Sequence, residues 1–435
     1  MRLSQSRKGS LSLKRRNGTG CADDGDPLDR TSFQNRFQGA GHVTIVGAGL
    51  GGLCLAHGLQ RAGIAFDVYE RDAAPNARRQ GYRLRINDAG QRALARCLPD
   101  DLARLFRETC AITDSEGLFF DPQLVPVTGR AVRTWRPSVV ADQPVAGRGD
   151  VSADRLTLRE VLLCGLQGRV HFGKSFRHFD LHDDGRVGIA FDDGTRACSD
   201  ILVAADGVHS QVRAQRWPHV CPPDTGAVCI YGKTPLSSEV LQRVEPQLRR
   251  GTSVVFASGF ALVVDAMRFR PQAALGRRYP LTPMEDYLYW AFVGPRVCFG
   301  FDERVDPLPG GPALGAIVAC ITCDWHPALR ALFEAVDRAT LAVMPIRQAA
   351  TPTPWTPAPV TFLGDAVHVM SPAGGFGANT ALTDAASLAA WLAEAATGQL
   401  SPLAAVAAYE QDMLRRAATA LEFSRQGAQR LFSSH

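Results

Sequence analysis

The hydrophobic pattern changes character at His42. Residues 1 to about 40 are rich in Arg, Ser, Gly and Asn, show no apolar periodicity, and read as a disordered leader. From His42 the run HVTIVGAGLGGLCLAHGLQRAGIAFDVYE predicts an apolar strand through Val43, Ile45 and Val46, a glycine turn and a helix. That helix carries Leu53, Ala56, Leu59 and Ala62 on related faces, and a second strand closes at Glu70, so the segment is one βαβ unit. Between about Gly226 and Phe301, AVCIYG, TSVVFASGFALVVDAM and DYLYWAFVGPRVCFGF are β-branched and aromatic, which predicts strands joined by turns in a largely antiparallel sheet. From about Thr380 the pattern is helical, with Leu382, Ala386, Leu388 and Leu392 on one stripe and Leu403, Tyr409, Met413 and Leu421 on a later one. No internal repeat is visible.

Length and composition narrow this picture. A chain of 435 residues exceeds one ordinary core, which predicts either one large domain with a subdomain or two interleaved domains. The net charge of +5 owes much to the first 22 residues, which hold Arg2, Arg7, Lys8, Lys14, Arg15 and Arg16 and no acid. That opening allows a mitochondrial presequence as a minor reading beside a cytoplasmic one. The leader is followed by no basic patch interleaved with aromatics, so a nucleic-acid role is set aside. No stretch approaches the roughly 20 apolar residues of a membrane span. The 11 cysteines are scattered and include Cys54, Cys164 and Cys229 in apolar surroundings, which suits a reducing compartment. Cys320 and Cys323 form a lone C-x-x-C, without the second pair that a zinc site needs; no metal site is expected.

Three segments carry chemistry. Gly47, Gly49 and Gly52 make G-x-G-x-x-G between strand and helix, where the glycines permit a tight turn, close approach of backbone to a pyrophosphate, and helix-on-strand packing. Glu70 closes the next strand, where a carboxylate can accept from ribose hydroxyls. The second segment is a strand from Ile201 to Ala204 that ends at Asp206-Gly207. The third is VTFLGDAVHVMSPAGGFGANTALTDAASLAAWL: a strand, Gly364-Asp365, a loop with Pro372, Gly375 and Gly377, and a helix. Asp365 can accept from cofactor hydroxyls, and Gly375, Gly377 and Ala378 let backbone lie against a planar ring. The helix then aims its positive end at that ring, which would stabilise negative charge on a reduced flavin. NAD offers no such charge, so the third segment favours FAD.

In this order and separation the three segments resemble the FAD-dependent hydroxylases related to para-hydroxybenzoate hydroxylase, over about residues 42 to 425. Gly364, Asp365, Ala366, His368, Pro372, Gly375, Gly377 and Asn379 match that family's third motif. The finer likeness is to short hydroxylases of fungal and bacterial secondary metabolism. The resemblance implies a Rossmann-like FAD-binding domain (41–225 and 340–400) interleaved with a mixed, largely antiparallel substrate domain (226–339), followed by a helical segment over 401–435. It implies bound FAD, transient NADPH or NADH, dioxygen as co-substrate, and hydroxylation of an electron-rich aromatic or enolic compound, with the protein supplying orientation and dryness. An FAD oxidase or reductase that transfers no oxygen shares the same architecture, and a binding protein that has lost turnover is a third reading.

Arg155, with Leu158 and Leu162, is similar to the family's R-x-x-L-x-x-x-L segment beside the flavin, and Gly81 falls where such proteins place a small residue by the cofactor. His209 and His368 sit inside cofactor motifs, which favours structural roles over general-base ones. Tyr231 and Arg213 are the nominated groups for deprotonating a phenol. Tyr231, Phe256, Phe260, Trp290 and Phe292 would suit a flat ligand, though such residues also line ordinary cores.

Overall fold

The computed structural model describes residues 41–75, 77, 82–112, 118–127, 149–270, 279–302 and 308–432. The leader and Gly81 lie outside them. The first described elements are β1 (His42–Val46), α1 (Leu50–Arg61) and β2 (Ala65–Glu70). β3 (Arg83–Ile86) leads into α2 (Asp88–Cys97) and α3 (Asp100–Thr109). After β4 (Leu118–Phe120), β5 (Val151–Asp154) runs straight into α4 (Arg155–Leu163). β6 (Val170–Phe172) precedes an antiparallel trio of β7 (Phe176–Leu181), β8 (Val187–Phe191) and β9 (Arg196–Ser199), then β10 (Ile201–Ala204) and α5 (Gln211–Arg216).

The antiparallel region holds β11 (Asp224–Pro235), α6 (Ser238–Arg243), β12 (Thr252–Ala257), β13 (Phe260–Met267) and β14 (Tyr287–Pro295). It continues with α7 (Gly311–Ile321), α8 (Pro327–Glu334) and β15 (Ala342–Arg347). β16 (Val360–Phe362), α9 (Asp365–His368), α10 (Gly377–Ala396) and α11 (Pro402–Phe432) complete the described chain.

Two sheets organise these elements. A parallel sheet ordered β16-β10-β1-β2-β6 is apolar at its centre, with β10 wholly buried, as expected for a sheet covered on both faces, here by helices and by the β7-β8-β9 trio. α1 and α10 pack side by side against it, and the stripe of Leu382, Ala386, Leu388 and Leu392 is buried there as its spacing predicted. The second sheet, ordered β15-β11-β14-β13-β12-β4, is antiparallel except where β4 joins β12. One of its faces packs on α7 and α8 through Ile230, Leu262, Val264, Trp290 and Phe292. The other face turns toward the first sheet. Strand β14 stops at Pro295, and the segment after it, which reads as strand by composition, is a 3-10 turn closed by Gly300 at φ 70°.

Between the sheets lies the ribbon β3-β5, paired so that Arg83 stands opposite Asp154. It delivers Tyr82, Arg83, Arg85 and Arg155 to the space where the sheets meet. Among the described residues every cysteine is free and no helix is long and apolar enough to cross a membrane. Cys320 and Cys323 are exposed, and no described His, Cys, Asp and Glu group could hold a metal ion.

Candidate functional site

Where strand β1 meets helix α1, the glycine turn does what its spacing requires. Gly47 holds φ 110°, and a Cβ there would stand 2.3 Å from the Ala205 carbonyl oxygen. A Cβ on Gly52 would stand 2.1 Å from the Gly47 oxygen, so only glycine lets the helix start this close to the turn. At Gly49 a Cβ would meet nothing within 4 Å, because that position opens onto the cavity. No side chain caps α1, which leaves its first N–H groups for a ligand. Glu70 accepts from the amides of Ala48 (2.8 Å) and Asp72 (3.0 Å). Arg159 braces the same turn: its Nε donates to the Ala48 carbonyl at 2.9 Å, and its guanidinium lies 3.9 Å from Glu70. Sequence reasoning missed Arg159, although it stands one helical turn beyond Arg155.

The second and third segments converge on the same space. Asp206 uses Oδ2 to accept from the amides of Gln211 and Val212 at the start of α5, while its buried Oδ1 has no partner among the described residues. Burial pushes its pKa up. Asp365 leaves the end of β16 with a carboxylate that opens into the cavity and accepts no hydrogen bond from the described residues, and the surrounding protein raises its pKa. Pro372, Gly375, Gly377 and Ala378 form one wall, with Gly375 at φ 66°. Helix α10 begins there without a side-chain cap.

Asn379, expected at the cofactor, is not in the cavity wall. Its Nδ2 donates to the carbonyls of Arg85 and Gly375, both at 2.8 Å, and its Oδ1 accepts from the Asn87 amide at 2.9 Å. It therefore latches the glycine loop to the end of β3. His368 is buried against Asp384 at 2.6 Å, and Asp384 also accepts from the Gly364 amide and from Arg416. Burial opposes the charged imidazole, but the Asp384 carboxylate outweighs it and the His368 pKa rises. That is a structural clamp behind the loop. His209 lines the exposed rim, its pKa lowered by partial burial and by Arg347, Arg71 and Arg213.

Of the two nominated bases, Arg213 does not reach the cavity wall. Its guanidinium donates to three carbonyls, those of Ala366 (2.8 Å), Val208 (2.7 Å) and Val220 (3.2 Å), so it ties the second segment to the third. Tyr231 does face the cavity, its ring 5.7 Å from that of Tyr82 and 6.5 Å from that of Tyr289. Burial pushes its pKa up to about 12, which suits a donor rather than a base at neutral pH. Arg155 also lines the space and lies 5.3 Å over the Tyr82 ring.

The aromatic wall differs from expectation. Phe260, Trp290 and Phe292 belong to the core on the far side of the sheet, and Phe256 packs with Phe119. Side chains alternate along a strand, so the cavity receives Tyr289, Ala291 and Val293 instead. Tyr289 was not singled out from the sequence.

All of this bounds a single continuous cavity of about 890 Å³, near the upper end for ligand sites. It runs from the glycine turn, past Asp365 and the uncapped α10 terminus, to the tyrosines. A turn that no side chain could fill, an open carboxylate at a strand end and a small-residue wall under a helix N-terminus fit a dinucleotide carrying a planar ring.

Residues 336–424 match the family described as FAD binding domain, and residues 45–98 match the NAD(P)-binding Rossmann-like domain. A dual O-methyltransferase/FAD-dependent monooxygenase of Cercospora beticola is 35% identical over 90% of this chain, which spans only 46% of that relative's length. An FAD-dependent monooxygenase of Trichoderma harzianum is 27% identical over 88% of this chain and 92% of its own. The solved structure of a protein described as an FAD-containing monooxygenase, from Photorhabdus luminescens, superposes with a TM-score of 0.77 at 28% identity, covering 90% of this chain and 99% of that one. With its glycine turn, its strand-end Asp365 and its second sheet all opening on one cavity, the chain carries an FAD-binding domain match and is similar over about 90% of its length to proteins described as FAD-dependent monooxygenases.

Proposed function

We propose that the protein catalyses hydroxylation of an electron-rich aromatic or enolic compound of polyketide type, consuming one NAD(P)H, one proton and one O2 and releasing the hydroxylated product, NAD(P)+ and water. The observation that carries this reading is the continuity of the cavity from the dinucleotide turn to the tyrosine wall. A redox ring bound over Gly375–Ala378 would face organic substrate within one enclosure. When bound, FAD supplies the two-electron reduction and the oxygen chemistry that no side chain offers.

The chain's own residues bind and orient. Glu70 is placed to take ribose hydroxyls, with Arg159 and the Ala48 amide fixing its carboxylate. The turn at Gly47, Gly49 and Gly52 and the α1 N-terminus are placed for the pyrophosphate, with Asp206, Gly207 and Asp365 along the ribityl side. Gly375, Gly377 and Ala378 give the ring a flat seat, and the α10 terminus favours negative charge on it. Arg155, stacked over Tyr82 in the cavity wall, would lie beside the bound ring, while Pro372 shapes the loop. Val263, Val293, Ile346 and Leu431 exclude water where oxygen transfer would occur. Tyr231, held protonated by burial, donates to a substrate oxygen. A transient nicotinamide fits the open rim near His209, and a reducing cytosolic setting fits the free cysteines.

The test is an absorption spectrum followed by NADPH or NADH oxidation under 18O2 with a panel of phenolic and polyketide compounds. Bound-flavin bands and a product carrying one 18O atom support the reading. Flavin with peroxide but no labelled product replaces it with the oxidase or reductase reading, and failure to take up FAD sinks it.

A further inference from the structure

Within that reading, the substrate end of the cavity holds one cation that neither the glycine turn nor the flavin wall uses. Arg83 projects from β3, half-buried, into the cavity. Its Nε faces the fully buried carboxylate of Asp265 on β13, to which Ser152 Oγ also donates at 2.9 Å. Nε further contacts Ser152 Oγ at 3.2 Å, and Nη2 reaches Thr252 Oγ1 at 3.3 Å. Nη1 takes part in none of these bonds and is not among the buried atoms without a partner, so it is open to the cavity. The guanidinium is thus gripped from behind by side chains of three strands, β5, β12 and β13, and presents one free edge.

Its neighbours sharpen the point. Tyr289 and Tyr231 both line this end, and neither hydroxyl accepts or donates a hydrogen bond among the described residues or is sealed from the cavity. Burial raises the pKa of both, while Arg83 is near enough to Tyr289 to act against that rise. Three groups that act as donors at neutral pH therefore converge on a space also walled by Tyr82, Cys229, Val263, Ala291 and Val293, with Arg155 on the flavin side and the Asp265 carboxylate tied up behind Arg83. A ligand there must bring acceptors, and an ionised one gains most from a fixed guanidinium.

We propose that Arg83 is the specificity-determining residue of this site, and that it receives an anionic oxygen of the substrate, a carboxylate or an aryl or enol oxyanion, with Asp265 holding its side chain in position. Asp265 serves as a positioning residue because it meets Nε and leaves Nη1 free. The proposal rests on the monooxygenase reading for its location, and it adds the charge and the anchor of the substrate.

The experiment is calorimetric titration of the FAD-loaded chain with 1-hydroxy-2-naphthoate, its methyl ester and 1-naphthol, each in two buffers of different ionisation enthalpy. The expected result is either that the carboxylate binds at least about tenfold tighter than its ester, or that 1-naphthol binds with release of a proton. The first identifies a carboxylate as the source of the anion and the second an aryl oxyanion. Arg83→Lys should keep part of the effect. Arg83→Met combined with Asp265→Leu removes both charges without leaving one buried alone, and should abolish it. Arg92→Met, an exposed charge on α2, should leave it intact. Equal affinity for all three probes without proton release, no saturable binding, or a preference that survives the double substitution overturns the proposal. The flavin spectrum of the same sample separates the two levels: bound flavin without anion preference removes Arg83 alone, whereas absence of flavin removes the monooxygenase reading with it.

Discussion

Gly47 and Gly49 stand two residues apart in one turn and answer a methyl group in opposite ways. At Gly47 an alanine would need φ 110° and would meet the Ala205 carbonyl at 2.3 Å. Strain of this kind costs roughly 1–3 kcal/mol before the clash is relieved, so Gly47→Ala should lower the melting temperature even without cofactor. At Gly49 the added methyl enters open cavity, so Gly49→Ala should melt like the parent when stripped of flavin yet bind FAD more weakly, as fluorescence titration would report. Equal melting losses in both would show that the turn is merely tight and not shaped for a ligand. The same logic separates Arg213 from a catalytic group. Arg213→Met strands three carbonyls and should cost about 2–4 kcal/mol of stability by denaturant titration, with FAD affinity close to the parent's. A folded, stable variant that bound flavin but no longer turned over would reinstate it in the chemistry.

At the level of elements, strand β14 shows where the sequence was legible and where it was not. The βαβ unit, the strand ending at Ala204 and the strand-loop-helix after Val360 were all readable, because turn glycines and 3.6-residue stripes report local backbone directly. In β14 the residues YLYWAFVG are all buried, since one face meets helices and the other a cavity wall. Polarity therefore does not alternate, and nothing in the chain says whether Tyr289 or Trp290 turns inward. The contacts of Asn379 and Arg213 were illegible for a related reason: each also reaches a carbonyl 294 or 153 residues away, which no local pattern records. The parity of the strand is testable. Trp290→Ala should cost roughly 3–5 kcal/mol, as expected for emptying a core site, whereas Tyr289→Phe should leave the denaturation midpoint nearly unchanged and weaken aryl ligand binding. A large stability loss in Tyr289→Phe would place its hydroxyl in the core network instead of the cavity.

Across the whole molecule, α11 joins the two sheets and carries one consequence for pH. Near its start, Tyr409 donates to the Phe362 carbonyl at 2.7 Å and Glu410 accepts from Thr361 at 2.8 Å, both on β16, the strand that delivers Asp365. Near its other end, Ser424 donates to the Ser371 carbonyl, and Leu431 packs with Val254, Ala261 and Ala373 at the cavity wall. Burial pushes the Glu410 pKa up to about 7 against an ordinary value of 4.5, only partly offset by its hydrogen bond to Thr361. Because the folded value is the higher one, folding favours the neutral acid. That stability is fully present below about pH 4.5 and is lost as the pH rises through 7, amounting to at most about 3–4 kcal/mol. Melting curves from pH 5 to 8 should therefore show the parent losing ground to Glu410→Gln as the pH rises, the amide being the more stable of the two at pH 8. Since other groups titrate in the same window, the quantity that decides is the difference between the two proteins. A difference that stays flat across this range would mean that Glu410 is ionised and solvated in the folded chain, and that α11 is held to β16 by Tyr409 and its apolar neighbours alone.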